Sequence, residues 1–287
     1  MPSLTHRNLA SKTEDFPEPE RVPWSTLGPE FTEEWGHDKG KMTGEHVEIM
    51  GQTGSGKSYL LATILQERAR RWNTAEIVIV TKQSDDSIPL LGWPVVEKYE
   101  DINKYRQLIF WPKTNTQGAA RQEYHEEQIY NLLTTLWVPD ANVVIAFDEI
   151  GYVEALSPRI KKEIKMYWRE GRSHKISLVA MKQRPLEVNR DQHSETRWKF
   201  VFPPADQGDM KRFAEMLGRV GDWQPVLEKV DQRNHEFVVR NSVTKDSYIS
   251  WIDTKLQPVK SQSDQNSRSP SESLANKRAG DNSANRE

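Results

Sequence analysis

The sequence predicts an α/β fold with a mainly parallel central sheet flanked by helices, and three observations predict it. Apolar strand-like runs alternate with helix-like runs through the middle of the chain, the pattern of a parallel sheet buried on both faces. A strand passes through a glycine-rich loop into a helix at Gly51–Ser58, the arrangement of a phosphate-binding loop. A later apolar strand ends in Asp148-Glu149, and the carboxyl ends of parallel strands border the ligand crevice.

Each element follows from its local pattern. Glu45–Met50 alternates polar and apolar residues and reads as a strand. Gly51, Gln52, Thr53, Gly54, Ser55, Gly56, Lys57 and Ser58 fit G-x-x-x-x-G-K-[ST]. The glycines let backbone N–H groups close around phosphate oxygens without Cβ clashes. Lys57 has the length to reach β- and γ-phosphates, and the Ser58 hydroxyl suits Mg²⁺. Tyr59–Trp72 reads as a helix with Leu60, Leu61, Ile64 and Leu65 on one face. Its positive end points back at the loop.

Ala75–Thr81 reads as a buried strand, Arg106–Trp111 as a short strand, Gln122–Trp137 as a helix and Asn142–Phe147 as a continuous apolar strand. Pro158–Gly171 reads as a helix with proline near its start. Lys175–Met181 and Arg197–Phe202 are further strands, and Asp206–Leu217 is a helix ended by Gly218. His235–Val239 and Ser247–Ile252 close the fold as a hairpin or paired edge.

Composition bounds the rest. Residues 1–35 are polar, proline-containing and acid-rich, which predicts a disordered or extended arm. Residues 36–256 form one P-loop domain, and the Ser/Asn/Gln-rich 257–287 predict a disordered polar tail. A formal net charge of −2 carries no global nucleic-acid signature, so any DNA contact must come from a local basic surface. The chain has no cysteine, which excludes disulfides and thiolate zinc sites. No apolar run approaches the ~20 residues that span a bilayer, and no signal peptide is visible. The expectation is a cytoplasmic protein without an integral membrane segment.

The acidic pair completes a nucleotide site. Asp148, at a strand end, is expected to hold Mg²⁺ through water, and Glu149 to act as the general base on the attacking water. The strand Lys175–Met181 is expected to end beside the γ-phosphate. Gln183 then either senses that phosphate or serves as a loop hydrogen-bonder. Between Pro158 and Lys175 lie Arg159, Lys161, Lys162, Lys165, Arg169, Arg172 and Lys175, while Ile160, Ile164, Tyr167 and Trp168 fall at core-facing spacing. The basic face either contacts DNA phosphates independently of sequence or is an ordinary solvated surface. Trp111, Trp168 and Trp198 are expected in the core, and His46 as a structural residue at a strand start.

Several separated segments together resemble the FtsK/HerA superfamily of DNA-pumping ATPases. Gly44–Ser58 has a histidine-started strand running into a G-x-T-G-S-G-K-S loop. Gly171-Arg172, followed by Ile176–Met181 and Lys182-Gln183-Arg184-Pro185, is similar to that family's glycine-arginine step, strand and Q-R-P turn. Thr196-Arg197 and Asp209–Arg212, before Leu217-Gly218, look like its later core. The resemblance covers roughly residues 40–255. It implies a RecA-like core, ATP and Mg²⁺ as ligands, and a homo-oligomeric ring, a hexamer, around double-stranded DNA. It makes Gln183 the sensor glutamine and Arg172 or Arg169 an arginine finger acting on a neighbouring subunit. Lys182 departs from the family pattern and either touches phosphate or DNA or points outward.

A compact ATPase with polar ends looks most like a viral genome-packaging motor, which implies a capsid portal or vertex partner and a host-cytoplasmic or virion-associated setting. The alternatives are a conjugation or DNA end-processing motor, a Zot-like phage assembly ATPase, and a weakly hydrolysing nucleotide-gated scaffold.

Overall fold

A computed structural model describes residues 16, 18–38, 41–42, 44–72, 74–183 and 190–256. The polar tail expected at 257–287, the first fifteen residues of the arm, and Arg184-Pro185 lie outside the described residues. In chain order the elements begin with β1 (Glu20–Arg21), α1 (Trp24–Gly36), the short ribbon β2 (His37–Asp38) and β3 (Lys41–Met42), β4 (His46–Met50) and α2 (Lys57–Arg71). Next come β5 (Ala75–Ile79), β6 (Val95–Val96), β7 (Gln107–Phe110), α3 (Gly118–Leu136), β8 (Val143–Phe147), α4 (Ile150–Leu156) and α5 (Pro158–Glu170). The chain closes with β9 (Ile176–Lys182), α6 (Arg190–Glu195), β10 (Thr196–Val201), α7 (Gln207–Leu217), α8 (Val220–Glu228), β11 (Phe237–Asn241) and β12 (Ser247–Ser250).

Ten of these strands form one sheet in the order β1-β12-β11-β10-β4-β9-β8-β5-β7-β6. From β10 to β6 every neighbour is parallel, and β10-β11-β12 are antiparallel. The mainly parallel α/β architecture is therefore present. In space the strand between the P-loop strand β4 and the acidic strand β8 is β9, while β5 lies on the far side of β8. The expected hairpin at the end is the antiparallel pair β11-β12, with Phe237 opposite Ser250.

Both sheet faces are covered. On one, Val47, Ile49, Val78, Val144 and Val179 pack under Leu60, Leu61, Ile64 and Leu65 of α2, all essentially without exposure. On the other, Ile77, Ile145 and Leu178 pack under Ile129, Leu132 and Leu133 of α3 and Ile160, Ile164 and Trp168 of α5. The buried residues of α5 recur at helical spacing, as read from the sequence, and Ser157 caps the helix by accepting the Ile160 N–H at 3.3 Å. Trp111, Trp168 and Trp198 are all core residues.

The expected loose arm is corrected over 24–36. Those residues form α1, whose Trp24, Leu27, Phe31 and Trp35 recur on one face and join the α2 side of the core. Phe31 packs edge-to-face on both Trp198 and Phe200, with centroids 5.1 Å apart in each pair. The Trp24 indole donates to Glu67 of α2, and the Trp35 indole donates to Glu45 O at 3.0 Å. Asp253 accepts the Ser25 N–H at 2.8 Å at the start of the helix, tying it to the segment that follows β12. This buried aromatic area outweighs the weak local signal of a segment interrupted by Pro29.

All five residues of β4 are buried, the polar His46 and Glu48 included. His46 accepts the Leu178 N–H at Nδ1 (3.0 Å), so Nε2 carries the proton and donates to Trp168 O at 3.2 Å. Burial pushes this imidazole down to about 3, fixing it neutral. Glu48 is met by Lys182 of β9, whose Nζ lies 3.7 Å away, and neither side chain has any exposure. Gln192 of α6 accepts from Lys182 and donates to Glu48 Oε1 at 3.2 Å. Lys182 is therefore neither an outward group nor a phosphate or DNA ligand. It is the cation of a buried pair.

Candidate nucleotide-binding site

The P-loop joins β4 to α2 at the carboxyl edge of the sheet. Gly54 and Gly56 adopt φ of 81° and 104°, backbone that β-carbon-bearing residues rarely hold. Gly51 is required by close approach, since a Cβ there would lie 2.6 Å from that of Phe202. The loop is closed by the Gly51 N–H to Lys182 O (3.2 Å) and the Ser55 N–H to Gln52 O (3.2 Å). α2 starts at Lys57, so its first N–H groups face the loop as an anion site. Lys57 Nζ donates to Gln52 O at 2.7 Å. Burial pulls its pKa down to about 8, with the Glu149 charge opposing and Lys82 reinforcing that shift.

The strand order brings the other expected residues to this loop. β9 delivers Gln183 between the P-loop and the end of β8. Its amide donates to Glu149 Oε2 at 2.8 Å, while its Oε1 accepts from the Thr53 hydroxyl at 3.3 Å. One side chain thus links the loop to the expected base. Asp148 is buried, and burial raises its pKa while the Lys82 ammonium opposes that rise. Both its oxygens lie within 3.0 Å of the Lys82 ammonium. Ser58 and Asp148 offer a hydroxyl and a carboxylate, the hard oxygen donors Mg²⁺ takes, and each carboxylate oxygen keeps a lone pair beyond its Lys82 contact. The residues present therefore fit the ion.

Arg172 is not brought to this site. It lies in a short 3₁₀ turn before β9, hence at the amino end of a strand whose carboxyl end carries Gln183. Its guanidinium donates to Glu45 Oε1 at 3.2 Å, next to the start of β4. The seven residues of β9 separate the two ends by about 23 Å at ~3.3 Å per residue. Arg169, at the end of α5, is exposed near the same edge.

Two site residues carry no motif and were missed. Lys82, just past β5, stands 3.0 Å from Asp148 Oδ1 and 2.9 Å from Oδ2. A basic residue directly after a buried strand was the available signal. His235, at φ 51°, donates from Nδ1 to Ser55 O at 3.1 Å and so packs against the P-loop from the start of β11. Nothing local in the sequence marks it, because the contact spans 180 residues.

Comparisons with known proteins agree with this fold. Residues 37–80 match the family model described as helicase HerA, central domain. No curated protein matches the chain. Among solved structures, the genome packaging NTPase B204 of Sulfolobus turreted icosahedral virus 2 with ATP-gammaS is 13% identical at a TM-score of 0.54, covering 75% of this chain and 98% of that one. The DNA-packaging ATPase B204 of Sulfolobus turreted icosahedral virus is 15% identical at 0.53, covering 76% and 98%. At such identities the likeness is one of fold. No helix among the described residues is long and apolar enough to cross a membrane. By sequence over residues 37–80 and by fold over most of its length, the chain is similar to the P-loop ATPases of the FtsK/HerA superfamily, as its motifs implied.

Proposed function

We propose that this chain is an Mg²⁺-dependent ATPase that couples hydrolysis to translocation of double-stranded DNA, in the manner of a viral genome-packaging motor. The observation that carries this reading is the Thr53–Gln183–Glu149 chain of hydrogen bonds beside Lys57 and Asp148. A carboxylate held beside the phosphate loop is placed to accept a proton from an attacking water.

The P-loop amides and Lys57 hold the phosphates. Ser58 and Asp148 would hold Mg²⁺, which would supply charge neutralisation to the bound phosphates. Glu149 accepts a proton from water, the water oxygen bonds to the γ-phosphorus, and the bond to the bridging oxygen breaks, leaving ADP and phosphate. Gln183 fixes the Glu149 carboxylate and reports the terminal phosphate to the P-loop through Thr53. Arg172, at the opposite end of β9, has a catalytic role only across a subunit boundary in a homo-oligomeric ring. On the basic face of α5, Lys161 and Lys162 are exposed and suit DNA phosphates, while Arg159 beside them pairs with Glu126 at 3.1 Å. A packaging role further implies a capsid portal or vertex partner and a host-cytoplasmic or virion-associated location. The B204 proteins, described as genome packaging or DNA-packaging enzymes, support this choice over the other DNA motors.

The test is Glu149→Gln. Turnover of Mg²⁺-ATP is expected to fall about 10²–10⁴-fold, the usual contribution of a general base, with ATP-analogue binding retained. Unchanged turnover would remove Glu149 from the mechanism.

A further inference from the structure

Lys82 is the cation of the crevice that the reading above does not use. Its side chain is 37% exposed and reaches a carboxylate, Asp148, that has no exposure. It contacts both Asp148 oxygens, and its second acidic neighbour, Asp85 Oδ2, is 3.5 Å away. Asp85 is itself fixed by accepting the Ser87 and Ile88 N–H groups at 2.9 and 2.8 Å. The Lys82 backbone is pinned too. The Trp111 indole donates to Lys82 O at 2.8 Å, and Arg121 donates to Thr81 O at 2.7 Å. Only the flexible four-carbon arm is left free to move.

Lys57, the other crevice lysine, is directed at Gln52 O. Asp148 is therefore neutralised by Lys82, which contacts both of its oxygens. A divalent ion held at Asp148 would face the Lys82 ammonium across the same carboxylate, and the repulsion between the two cations favours release of the ammonium. Lys82 sits on Asp148, the neighbour of Glu149, which Gln183 links to Thr53 of the P-loop, so its ammonium lies on the side of the crevice that faces the phosphate loop.

We infer that Lys82 is a displaceable counter-ion: it neutralises Asp148 until a divalent ion takes that carboxylate, and its ammonium then transfers to the terminal phosphate of a nucleoside triphosphate. This rests on the assignment of Ser58 and Asp148 to Mg²⁺. It gives the site a way to tell triphosphate from diphosphate. With a triphosphate the released ammonium gains a new anion. With a diphosphate it gains none.

The experiment compares full-length wild type and Lys82→Met for binding of Mg²⁺-ADP and Mg²⁺-ATPγS by calorimetry. Lys82→Met is expected to weaken Mg²⁺-ATPγS at least about tenfold relative to Mg²⁺-ADP, a charged hydrogen bond's worth of discrimination. Equal factors for both nucleotides would reduce Lys82 to a structural ion pair and overturn the proposal. A second measurement needs no variant. Acylation of Lys82 in the wild type, read by mass spectrometry, is expected to speed up with Mg²⁺-ADP and slow with Mg²⁺-ATPγS. Equal labelling in all states would mean the lysine never leaves Asp148 and would overturn it as well. Lys57→Ala separates the two levels. If it leaves nucleotide binding intact, the P-loop reading itself fails. If it abolishes binding while Lys82→Met leaves the nucleotide ratio unchanged, only the Lys82 proposal fails.

Discussion

Replacing Lys182 by methionine tests whether the P-loop strand is held by a buried charge. Lys182 and Glu48 have no exposure, their charges are 3.7 Å apart, and Gln192 bridges them. Methionine fills the same space but leaves Glu48 with the Gln192 amide and the more distant Lys199, whose pKa burial pulls down to about 8 against the attraction of Glu48. Breaking one side of a buried pair costs about 3–5 kcal/mol. The remaining Lys199 charge argues for the lower end, about 3 kcal/mol, or a loss of about 6–12 °C in Tm for a domain of this size. Removing both charges, as in Glu48→Leu with Lys182→Met, is expected to recover most of that loss, because the desolvation cost goes with them. Urea unfolding of the two single variants and the double variant at neutral pH measures the coupling. A single variant within about 0.5 kcal/mol of wild type, or a double variant whose cost is the sum of the singles, would refute a stabilising buried pair.

Three further outcomes are expected. The Lys57 pKa of about 8 must rise when phosphate binds, so nucleotide binding takes up a proton near and above that pH. Affinity then falls as pH rises through about 8, and calorimetry in buffers of different ionisation enthalpy reads the proton directly. Phe31→Ala, at a residue 1% exposed, is expected to cost about 3–5 kcal/mol in chemical unfolding, whereas truncation in a loose arm would cost nothing. His46 has a native pKa of about 3 against an ordinary 6.5, so between those values the unfolded chain takes up a proton that the native chain refuses. Stability therefore rises with pH across that window, by at most about 1.4 kcal/mol per unit for this group, and His46→Asn should flatten that part of the profile.

The parts of the site that were legible in the sequence are those whose chemistry is local. Gly51–Ser58 needs its glycines, lysine and serine in one order, and β8 ends in two acids after an unbroken apolar run. Gln183 could be named, but its partners could not, because its bonds to Thr53 and Glu149 exist only once β9 lies between β4 and β8. Lys82 and Lys182 show the same limit. Each is a lone lysine at a strand end, and only the neighbouring strand decides that one meets Asp148 and the other Glu48. Arg172 was legible as a basic residue before a strand, yet strand direction carries it to the end remote from the P-loop. α1 was hidden differently. Its four buried apolar residues are diluted by acids and Pro29, so composition averaged over the first 35 residues masks a helical stripe.

The central claim is that nucleotide hydrolysis is coupled to duplex DNA through phosphate contacts. The most direct measurement is the Mg²⁺-ATP turnover of the full-length protein with and without duplex DNA of unrelated sequences, repeated across salt. The account predicts stimulation by every duplex, strong near ~50 mM salt and largely lost by ~200 mM, with none in Glu149→Gln. Turnover that duplex DNA leaves unchanged at every salt concentration would contradict it.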